Sequence, residues 1–275
     1  MLSVLAGKEL TESVKNSAPS LASEPAASVL CLEGVRAGYG KKEILKGLAL
    51  TLNQGEIMTL VGSNGAGKSS ILKVVMGLLK PWKGTIRFND QEIARLPVYQ
   101  RVRLGLAYLI QGGEVFPSLT VGENLKMGTL VLSPDEKAKA IESALEVFPL
   151  LREKFNYRAG LLSGGQRQSL ALAMVLAQRP KILLLDEPSA GLAPKLAQEM
   201  LEAVSRINEQ MGLTILLVEQ RVREALEIAH RATVLINGVI VVGTSRPHEW
   251  LEAGALDSLF FGRAESVETT VEVTN

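Results

Sequence analysis

The segment GSNGAGKSS, residues 62–70, contains residue types that bind polyphosphates, at a spacing that such binding requires. It follows the apolar run IMTLV, and its order of Gly, four residues and Gly-Lys-Ser predicts a phosphate-binding loop before a helix. Gly65 and Gly67 let backbone amides curl around phosphate, and the helix N-terminus adds positive potential. Lys68 adds a charge for the terminal phosphates. Ser69 offers a hydroxyl to Mg²⁺, which keeps several waters and needs few protein ligands.

A pair of carboxylates follows the apolar run KILLL further along the chain. Asp186 and Glu187 come at the carboxyl end of this predicted strand, which is the edge where open α/β sheets bind ligands. Asp186 is suited to hold Mg²⁺ through water, and Glu187 to polarise an attacking water molecule. An isolated Asp-Glu pair is common at helix starts and on surfaces. Its place at the end of an apolar strand, downstream of a phosphate loop, favours the catalytic interpretation.

The stretch LLSGGQRQ, residues 161–168, leads into the helix-forming SLALAMVLAQ. Ser163 is a favourable helix N-cap residue, which alone would explain the stretch. The adjacent Gly164 and Gly165 also expose backbone amides that could bind a second anion. The residues by themselves leave both interpretations open.

The elements that must position these residues alternate along the chain. Short leucine-rich or β-branched runs are separated by longer helical stretches, which predicts an α/β fold with a largely parallel sheet. These runs are GEIMTLVG, GTIRF, GLAYLI, KILLLD, LTILLV and RATVLI. The runs without alternation predict central strands covered on both faces. Paired runs near the N-terminus and in ATVLINGVIVVG predict antiparallel strands, and residues from about 119 to 162 predict a helical insertion.

Composition narrows the classes of function. The chain has 275 residues, of which 47% are hydrophobic, so it can bury a sizeable core. Its apolar runs are far shorter than the roughly 20 residues that cross a bilayer, so we expect no membrane span. A net charge of +1 gives no basic field for nucleic acid, which we do not expect as a partner. The single Cys31 excludes an internal disulfide.

Both ends of the chain differ in composition from the rest. Residues 1–28 are rich in Ser, Ala and Pro without periodic apolar residues, which predicts a disordered leader. This leader has neither a basic start nor a sustained apolar core, so we expect neither a secretory signal nor a transit peptide. The final stretch AESVETTVEVTN contains three glutamates and no basic residue, which predicts an acidic flexible tail over residues 263–275.

The Ser-Gly-Gly-Gln of Ser163 to Gln166, shortly before the aspartate strand, resembles the signature of ATP-binding cassette (ABC) proteins. The resemblance covers about residues 29–262. It implies a P-loop NTPase fold of the ABC nucleotide-binding type, with a RecA-like core, an antiparallel β subdomain and a helical subdomain at about 119–162. It also implies ATP contacts along the phosphate loop. These are Gly62, Ser63, Asn64, Gly65, Ala66, Gly67, Lys68, Ser69 and Ser70.

The resemblance implies roles for three further residues. Tyr39, in GYG, occupies the position where the family stacks an aromatic ring on adenine. Gln111, after LAYLI, occupies that of a glutamine which senses metal and water beside the transmembrane partner. Catalysis is thus expected from Glu187, Gln220 and Gln111. The expected metal contacts are Ser69, Gln111 and Asp186.

The family's mechanism implies partners. Two cassettes face each other, identical or related, so that each ATP lies between the phosphate loop of one and the Ser163–Gln166 loop of the other. A single cassette without a membrane span resembles the ATP-hydrolysing subunit of a transporter, bound to two permease chains and indirectly to a solute-binding protein. We therefore expect it peripherally on the cytoplasmic face of the bacterial inner membrane.

Local departures from the general pattern give a finer resemblance. Ala193 replaces a common aspartate, Gln220 replaces the usual histidine, and FPSLTVGENL closely follows Gln111. Together they resemble the importer subunits for branched-chain or other hydrophobic amino acids, or for urea and short amides. Ile110, where a proline is common, departs from that group as well.

Other interpretations stay open from the sequence. A lipopolysaccharide- or lipid-exporting cassette has similar motifs but normally keeps the histidine. A soluble ABC factor outside transport, or an ATP sensor that does not hydrolyse, is a different class. We expect Gln220 to donate an amide hydrogen bond to the terminal phosphate, the alternative being a helix cap in an inactive site. Glu219 should point away from the phosphate or cap the following helix.

Overall fold

The computed structural model describes residues 27–251. The strands are β1 (Ser28–Tyr39), β2 (Lys42–Asn53), β3 (Ile57–Val61), β4 (Lys83–Phe88), β5 (Gln91–Glu92), β6 (Leu106–Leu109), β7 (Ile182–Asp186), β8 (Thr214–Val218), β9 (Arg231–Ile236) and β10 (Val239–Thr244). The helices are α1 (Lys68–Met76), α2 (Val98–Leu104), α3 (Val121–Gly128), α4 (Pro134–Val147), α5 (Pro149–Glu153), α6 (Gly164–Leu176), α7 (Pro194–Met211) and α8 (Val222–Ile228). Short 3-10 helices cover Ala159–Leu161 and Pro247–Trp250.

The central sheet has six strands in the order β10-β9-β3-β8-β7-β6. All neighbouring pairs from β9 to β6 are parallel, and β10 joins β9 in an antiparallel pair. The prediction of an α/β fold with a largely parallel sheet is therefore confirmed. Every residue of β3, β7 and β8 is buried, which explains why these runs are apolar without alternation.

The core lies on both faces of this sheet. Along β8, Ile215 and Leu217 pack into one apolar cluster, whereas Leu216 and Val218 pack into the cluster on the opposite face. Successive side chains of a strand point to opposite faces, so one apolar run supplies both clusters.

A second sheet has the order β2-β1-β4-β5, with antiparallel pairs throughout. This confirms the antiparallel pairs predicted near the N-terminus and at β9–β10. The grouping of GTIRF with the runs of the parallel sheet was wrong, because that run forms β4 in this second sheet. Its pattern agrees with the finding: Ile86 and Phe88 are buried and Arg87 between them is exposed, as in a strand with one covered face.

Helices α3, α4 and α5 occupy the segment predicted to be a helical insertion. Capping boxes begin α3 at Thr120, with Glu123, and α4 at Ser133, with Glu136. Between residues 119 and 162 the strand-like pairing is one isolated bridge, Thr120 to Arg158. The limits of a helical subdomain remain a prediction.

The predicted leader extends slightly too far into the chain. Ser28 already begins β1, where it pairs with Asn53. Residues 1–26, the predicted tail at 263–275 and the last residues of the predicted cassette lie outside the described residues. Between residues 27 and 251, no helix combines the length and the apolar character needed to cross a membrane.

Candidate functional site

The carboxyl ends of three adjacent strands form the frame of the site. Leu60 of β3 is level with Val218 of β8, which is level with Asp186 of β7. The phosphate loop after β3, the carboxylates at the end of β7 and Gln220 after β8 therefore meet at one edge of the sheet, as expected for a ligand site in an open α/β sheet.

The phosphate loop has the backbone that its glycines allow. Gly65 and Gly67 have φ angles of 81° and 110°, in the region that residues with a side chain rarely adopt. A Cβ on Gly67 would also lie 3.2 Å from side-chain atoms of Ile44 and Leu45. Gly67 directly precedes α1, so the loop delivers a helix N-terminus into the site.

Lys68 is buried, with 5% of its surface exposed. Its Nζ donates to the carbonyl oxygens of Gly62, at 2.7 Å, and Ser63, at 3.2 Å. Burial lowers the pKa of Lys68, while the charges of Glu187 and Asp186 oppose that shift. The ammonium group therefore lies inside the loop and close to both carboxylates.

Asp186 links the phosphate loop to the strand at the sheet edge. Its Oδ1 accepts from Ser69 Oγ at 2.8 Å, and its Oδ2 accepts from Tyr108 Oη at 2.8 Å. Burial, with the neighbouring Asp186, raises the pKa of Tyr108, so the phenol stays protonated and acts as a donor. Ser69 and Asp186 together present hard oxygen atoms of the kind that Mg²⁺ prefers.

Glu187 has a constrained position. It is buried, and its φ of 51° is unusual for a residue with a side chain, at a cost of about 1–3 kcal/mol. Its Oε2 accepts from Gln111 Nε2 at 2.6 Å and from Gln220 Nε2 at 2.7 Å. The surrounding structure fixes this residue in place, since its backbone N–H donates to Val218 O at 2.8 Å. Such a buried, oriented carboxylate can accept a proton from a water molecule.

Glu219 lies directly after β8 and contacts two backbone N–H groups. It accepts from the N–H of Gln220, and its other oxygen accepts from the N–H of Ser189. Gln220 lies before Arg221, the N-cap of α8, and α8 has no side-chain cap, so the expectation that Glu219 caps the following helix was wrong.

Ser163 is the N-cap of α6 and is exposed. A capping box joins it to Gln166: Ser163 Oγ accepts from the Gln166 N–H at 3.4 Å, and Gln166 Oε1 accepts from the Ser163 N–H at 3.1 Å. Tyr39, at the end of β1, is also exposed. Among the hydrogen bonds of residues 27–251, none connects Ser163–Gln166 or Tyr39 to the phosphate loop. The chain therefore brings together the loop, Gln111, Asp186, Glu187 and Gln220, but not these two features.

Two polar residues, the half-buried Tyr108 and the buried Arg101, were missed from the sequence. Tyr108 carries the only phenol in the apolar run GLAYLI, a signal that could have been noticed because a buried tyrosine usually finds a partner for its hydroxyl. Arg101 is 1% exposed and donates to four backbone carbonyls, including Val74 O and Val75 O at the end of α1. No sequence pattern marks it, since nearby arginines such as Arg103 are exposed.

Comparison with known proteins decides the family. Residues 45–190 match the family model described as ABC transporter. The chain belongs to the ABC transporter family. The ATP-binding homologues in this family are ATPases coupled to transport, so the predicted enzyme class is confirmed.

Relatives within the ABC transporter family cover most of the chain. A high-affinity branched-chain amino acid transport ATP-binding protein of Pseudomonas aeruginosa is 41% identical over 214 residues, which are 78% of this chain and 91% of the relative. A probable branched-chain amino acid transport ATP-binding protein of Archaeoglobus fulgidus is 40% identical, covering 83% of this chain and 96% of the relative. A lipopolysaccharide export ATP-binding protein of Haemophilus influenzae is more distant, at 31% identity over 86% of this chain and 98% of that protein.

Solved structures agree with the ABC fold. The ADP conformation of an ATP-binding cassette of an ABC transporter superposes with a TM-score of 0.76 at 25% identity. The match covers 86% of this chain and 100% of the solved structure. The predicted cassette fold is therefore confirmed.

Proposed function

We propose that this chain is the ATP-hydrolysing subunit of an ABC importer for branched-chain or other hydrophobic amino acids. Two features support the substrate class: the names of the two relatives at about 40% identity, and the greater distance of the lipopolysaccharide-export relative. Gln220 in place of a histidine is a further feature in which the chain resembles the importer subunits for hydrophobic amino acids. The subunit would lie on the cytoplasmic face of the bacterial inner membrane, held there by its permeases.

The observation that carries the ATPase proposal is the geometry of Glu187. Its Oε2 receives two amide donors, from Gln111 and Gln220, which fix the plane of the carboxylate. Among the described residues, no group donates to Oε1, so this oxygen is the one left to accept a proton from the attacking water. Lys68, whose Nζ contacts the carbonyls of Gly62 and Ser63, would turn its ammonium group to the terminal phosphates when ATP enters.

The donor atoms of the site fit Mg²⁺. Ser69 Oγ and Asp186 Oδ1 lie 2.8 Å apart, and Gln111, whose Nε2 contacts Glu187, would offer its amide oxygen. Within the part of the chain described, no three His, Cys, Asp or Glu residues cluster as a metal cage. A small set of oxygen donors suits Mg²⁺, which takes its remaining ligands from waters and phosphates. When bound, the ion neutralises charge on the phosphates; Ser69 and Asp186 would hold it in place.

A second cassette would complete each ATP site. Ser163, Gly164, Gly165 and Gln166 form a helix N-terminus, of which Ser163 and Gly164 are exposed, and such a terminus attracts anions. In the proposed dimer this surface contacts ATP held by the phosphate loop of the partner, and Tyr39 stacks on adenine.

The permease surface is proposed beside Gln111. Phe116, Met127 and Leu130 are exposed and line a cavity of about 390 Å³ that also includes Ile110. Exposed apolar side chains gathered around a cavity are typical of protein contact sites. A permease segment seated there would lie next to the loop that holds Gln111 against Glu187, which would link transport to hydrolysis.

Co-purification of the full chain from its native membrane tests the proposal. Recovery of two permease chains and a solute-binding protein is expected, with ATP hydrolysis stimulated by leucine-loaded binding protein. Stimulation by binding protein loaded with urea or a short amide would instead identify the chain as a subunit of a urea or short-amide importer. Recovery of lipopolysaccharide-export components, or of ribosomes or DNA, would contradict amino-acid import.

A further inference from the structure

Glu219 is a buried carboxylate that the proposed hydrolysis mechanism does not use. Only 1% of its surface is exposed, at the end of β8 directly before Gln220. Oε1 accepts from the Ser189 N–H at 2.8 Å, and Oε2 accepts from the Gln220 N–H at 3.0 Å. Burial raises the pKa of Glu219, and its hydrogen bonds with backbone amides oppose that shift. Burying a carboxylate is costly unless it is hydrogen-bonded, so these two contacts account for its presence.

The contact with Ser189 belongs to a larger attachment. The loop after β7, residues 187–192, is joined to residues 218–221 at four points. They are Glu187 N to Val218 O at 2.8 Å, Ser189 N to Glu219 Oε1 at 2.8 Å, Arg221 Nη2 to Leu192 O at 3.1 Å, and Gln220 Nε2 to Glu187 Oε2 at 2.7 Å. The Glu219 side chain makes one of these four contacts, the one with Ser189.

We propose that Glu219 is a positioning residue for ATP hydrolysis, whose carboxylate holds the loop after β7 and the backbone of Gln220 as one unit. Gln220 then keeps its amide on Glu187. The inference rests on the proposed ATPase function. The N–H of Ser189, 2.8 Å from Oε1, anchors the loop to this carboxylate.

The contact requires a carboxylate. Two N–H groups, from Ser189 and Gln220, point at two different oxygens, and both oxygens of an ionised glutamate accept. A glutamine has one acceptor oxygen, and its amide nitrogen would face an N–H donor. Glu219→Gln must therefore break one of the two contacts while it keeps the size of the side chain.

The test measures hydrolysis by the full chain with Mg-ATP. Glu219→Gln should lower kcat roughly tenfold, the scale of a lost hydrogen bond to a charged group, with an unchanged KM for ATP. In the Gln220→Ala background the same substitution should lower kcat no further, because Glu219 acts through Gln220. An equal loss in both backgrounds, or no loss in either, would overturn the proposal.

Glu56 offers a matched control, since it is also a buried carboxylate, with 8% of its surface exposed. It accepts from the Asn53 N–H and from Arg231 at the opposite edge of the sheet. Glu56→Gln should lower the temperature of unfolding with kcat unchanged. A loss of kcat as large as that of Glu219→Gln would show that any buried carboxylate acts the same way, against the proposal.

Hydrogen exchange gives a readout that does not depend on activity. Backbone amides of residues 189 and 220 should exchange faster in Glu219→Gln, while amides of the phosphate loop keep their rates. Unchanged exchange at both amides would refute the positioning role. If Glu219→Gln does not fold, Glu219→Asp, which keeps the charge, carries the same kinetic comparison in both backgrounds. Absence of ATPase activity from the wild-type chain assembled with its second cassette and permeases would instead refute the proposed function.

Discussion

The side-chain amide of Gln220 and the carboxylate of Glu187 are in direct contact: Nε2 of Gln220 lies 2.7 Å from Oε2 of Glu187. An amide nitrogen carries two hydrogens, so the same group can bind this carboxylate and still donate to a phosphate oxygen. The residue that replaces a histidine therefore has a place in the site without carrying a charge. The contact with Glu187 agrees with the hypothesis that Gln220 replaces the histidine in an active site that hydrolyses ATP.

Glu187→Gln should separate binding from hydrolysis. The amide keeps the size of the side chain but loses the basic oxygen that polarises water, so phosphate release should fall by roughly 10² or more while ATP still binds. Nucleotide titration and a phosphate-release assay on the full chain measure the two effects. Glu209→Gln, at an exposed position of α7, serves as the control and should match wild type. Near-normal turnover by Glu187→Gln would remove Glu187 from catalysis.

Two substitutions at Gln220 test its contact. Gln220→Ala should lower turnover markedly with a modest loss of ATP binding, because it removes the donor to Glu187. Gln220→His should keep activity and add an inflection near pH 6 to 7, since an imidazole with an ordinary pKa of about 6.5 titrates there and an amide does not. Turnover against pH for the three proteins is the measurement. Hydrolysis by Gln220→Ala at the wild-type rate would leave the residue a structural role only.

Much of this site was predictable because its parts are local in sequence. The phosphate loop needs glycines at fixed positions, and Asp186 follows four buried strand residues whose apolar character is plain. The sequence could not predict that Gln111 and Gln220 share one oxygen of Glu187. That contact depends on the strand order β8-β7-β6, which brings three distant segments together.

The missed residues had weaker signals for a physical reason. Arg101 binds backbone carbonyls. Every residue has one, so residue types in the sequence do not indicate the partners of Arg101. The assignment of β4 failed because a run of six residues does not reveal which sheet it joins, and only the alternation around Arg87 distinguishes it. The roles of Tyr39 and Ser163 remain predictions because they depend on nucleotide and a second cassette.

Tyr108→Phe should weaken the binding of Mg²⁺. The substitution removes the hydroxyl that donates to Asp186 Oδ2 at 2.8 Å and leaves the ring in place. Loss of one hydrogen bond to a charged group should raise the half-saturating Mg²⁺ concentration by up to roughly tenfold. The shape of the pH profile should not change near neutrality, because the raised pKa of Tyr108 keeps the phenol protonated there. Tyr157→Phe, at an exposed ring, is the control; equal Mg²⁺ dependence in both variants would contradict the role of Tyr108.

Arg101→Met should destabilise the fold. Its guanidinium donates to carbonyls of Val74, Val75, Leu96 and Ala94, and burial lowers its pKa to about 10, which leaves it charged at neutral pH. Each buried acceptor left without a partner costs about 1–3 kcal/mol, so the free energy of unfolding should fall by roughly 3 kcal/mol or more. Denaturant unfolding measures this, with the exposed Arg103→Met as the control. A loss no larger than that of the control would mean that water replaces the guanidinium.

Ala193→Asp should stabilise the chain. Ala193 is the N-cap of α7, with φ −59° and ψ 151°, and α7 has no acidic residue in its first turn. An aspartate there can accept from the N–H of Lys195 or Leu196, which an alanine cannot, and its charge favours the positive end of the helix. The expected gain is about 1 kcal/mol, and for a chain of this size the unfolding temperature should rise by roughly 2–4 °C. Ala193→Asn supplies the same acceptor without the charge, so it should retain most of the gain and show no dependence on salt. Thermal unfolding of both variants at low and high ionic strength separates the hydrogen bond from the charge. If neither variant unfolds above the wild-type temperature, the backbone at residue 193 does not have the geometry of a helix cap.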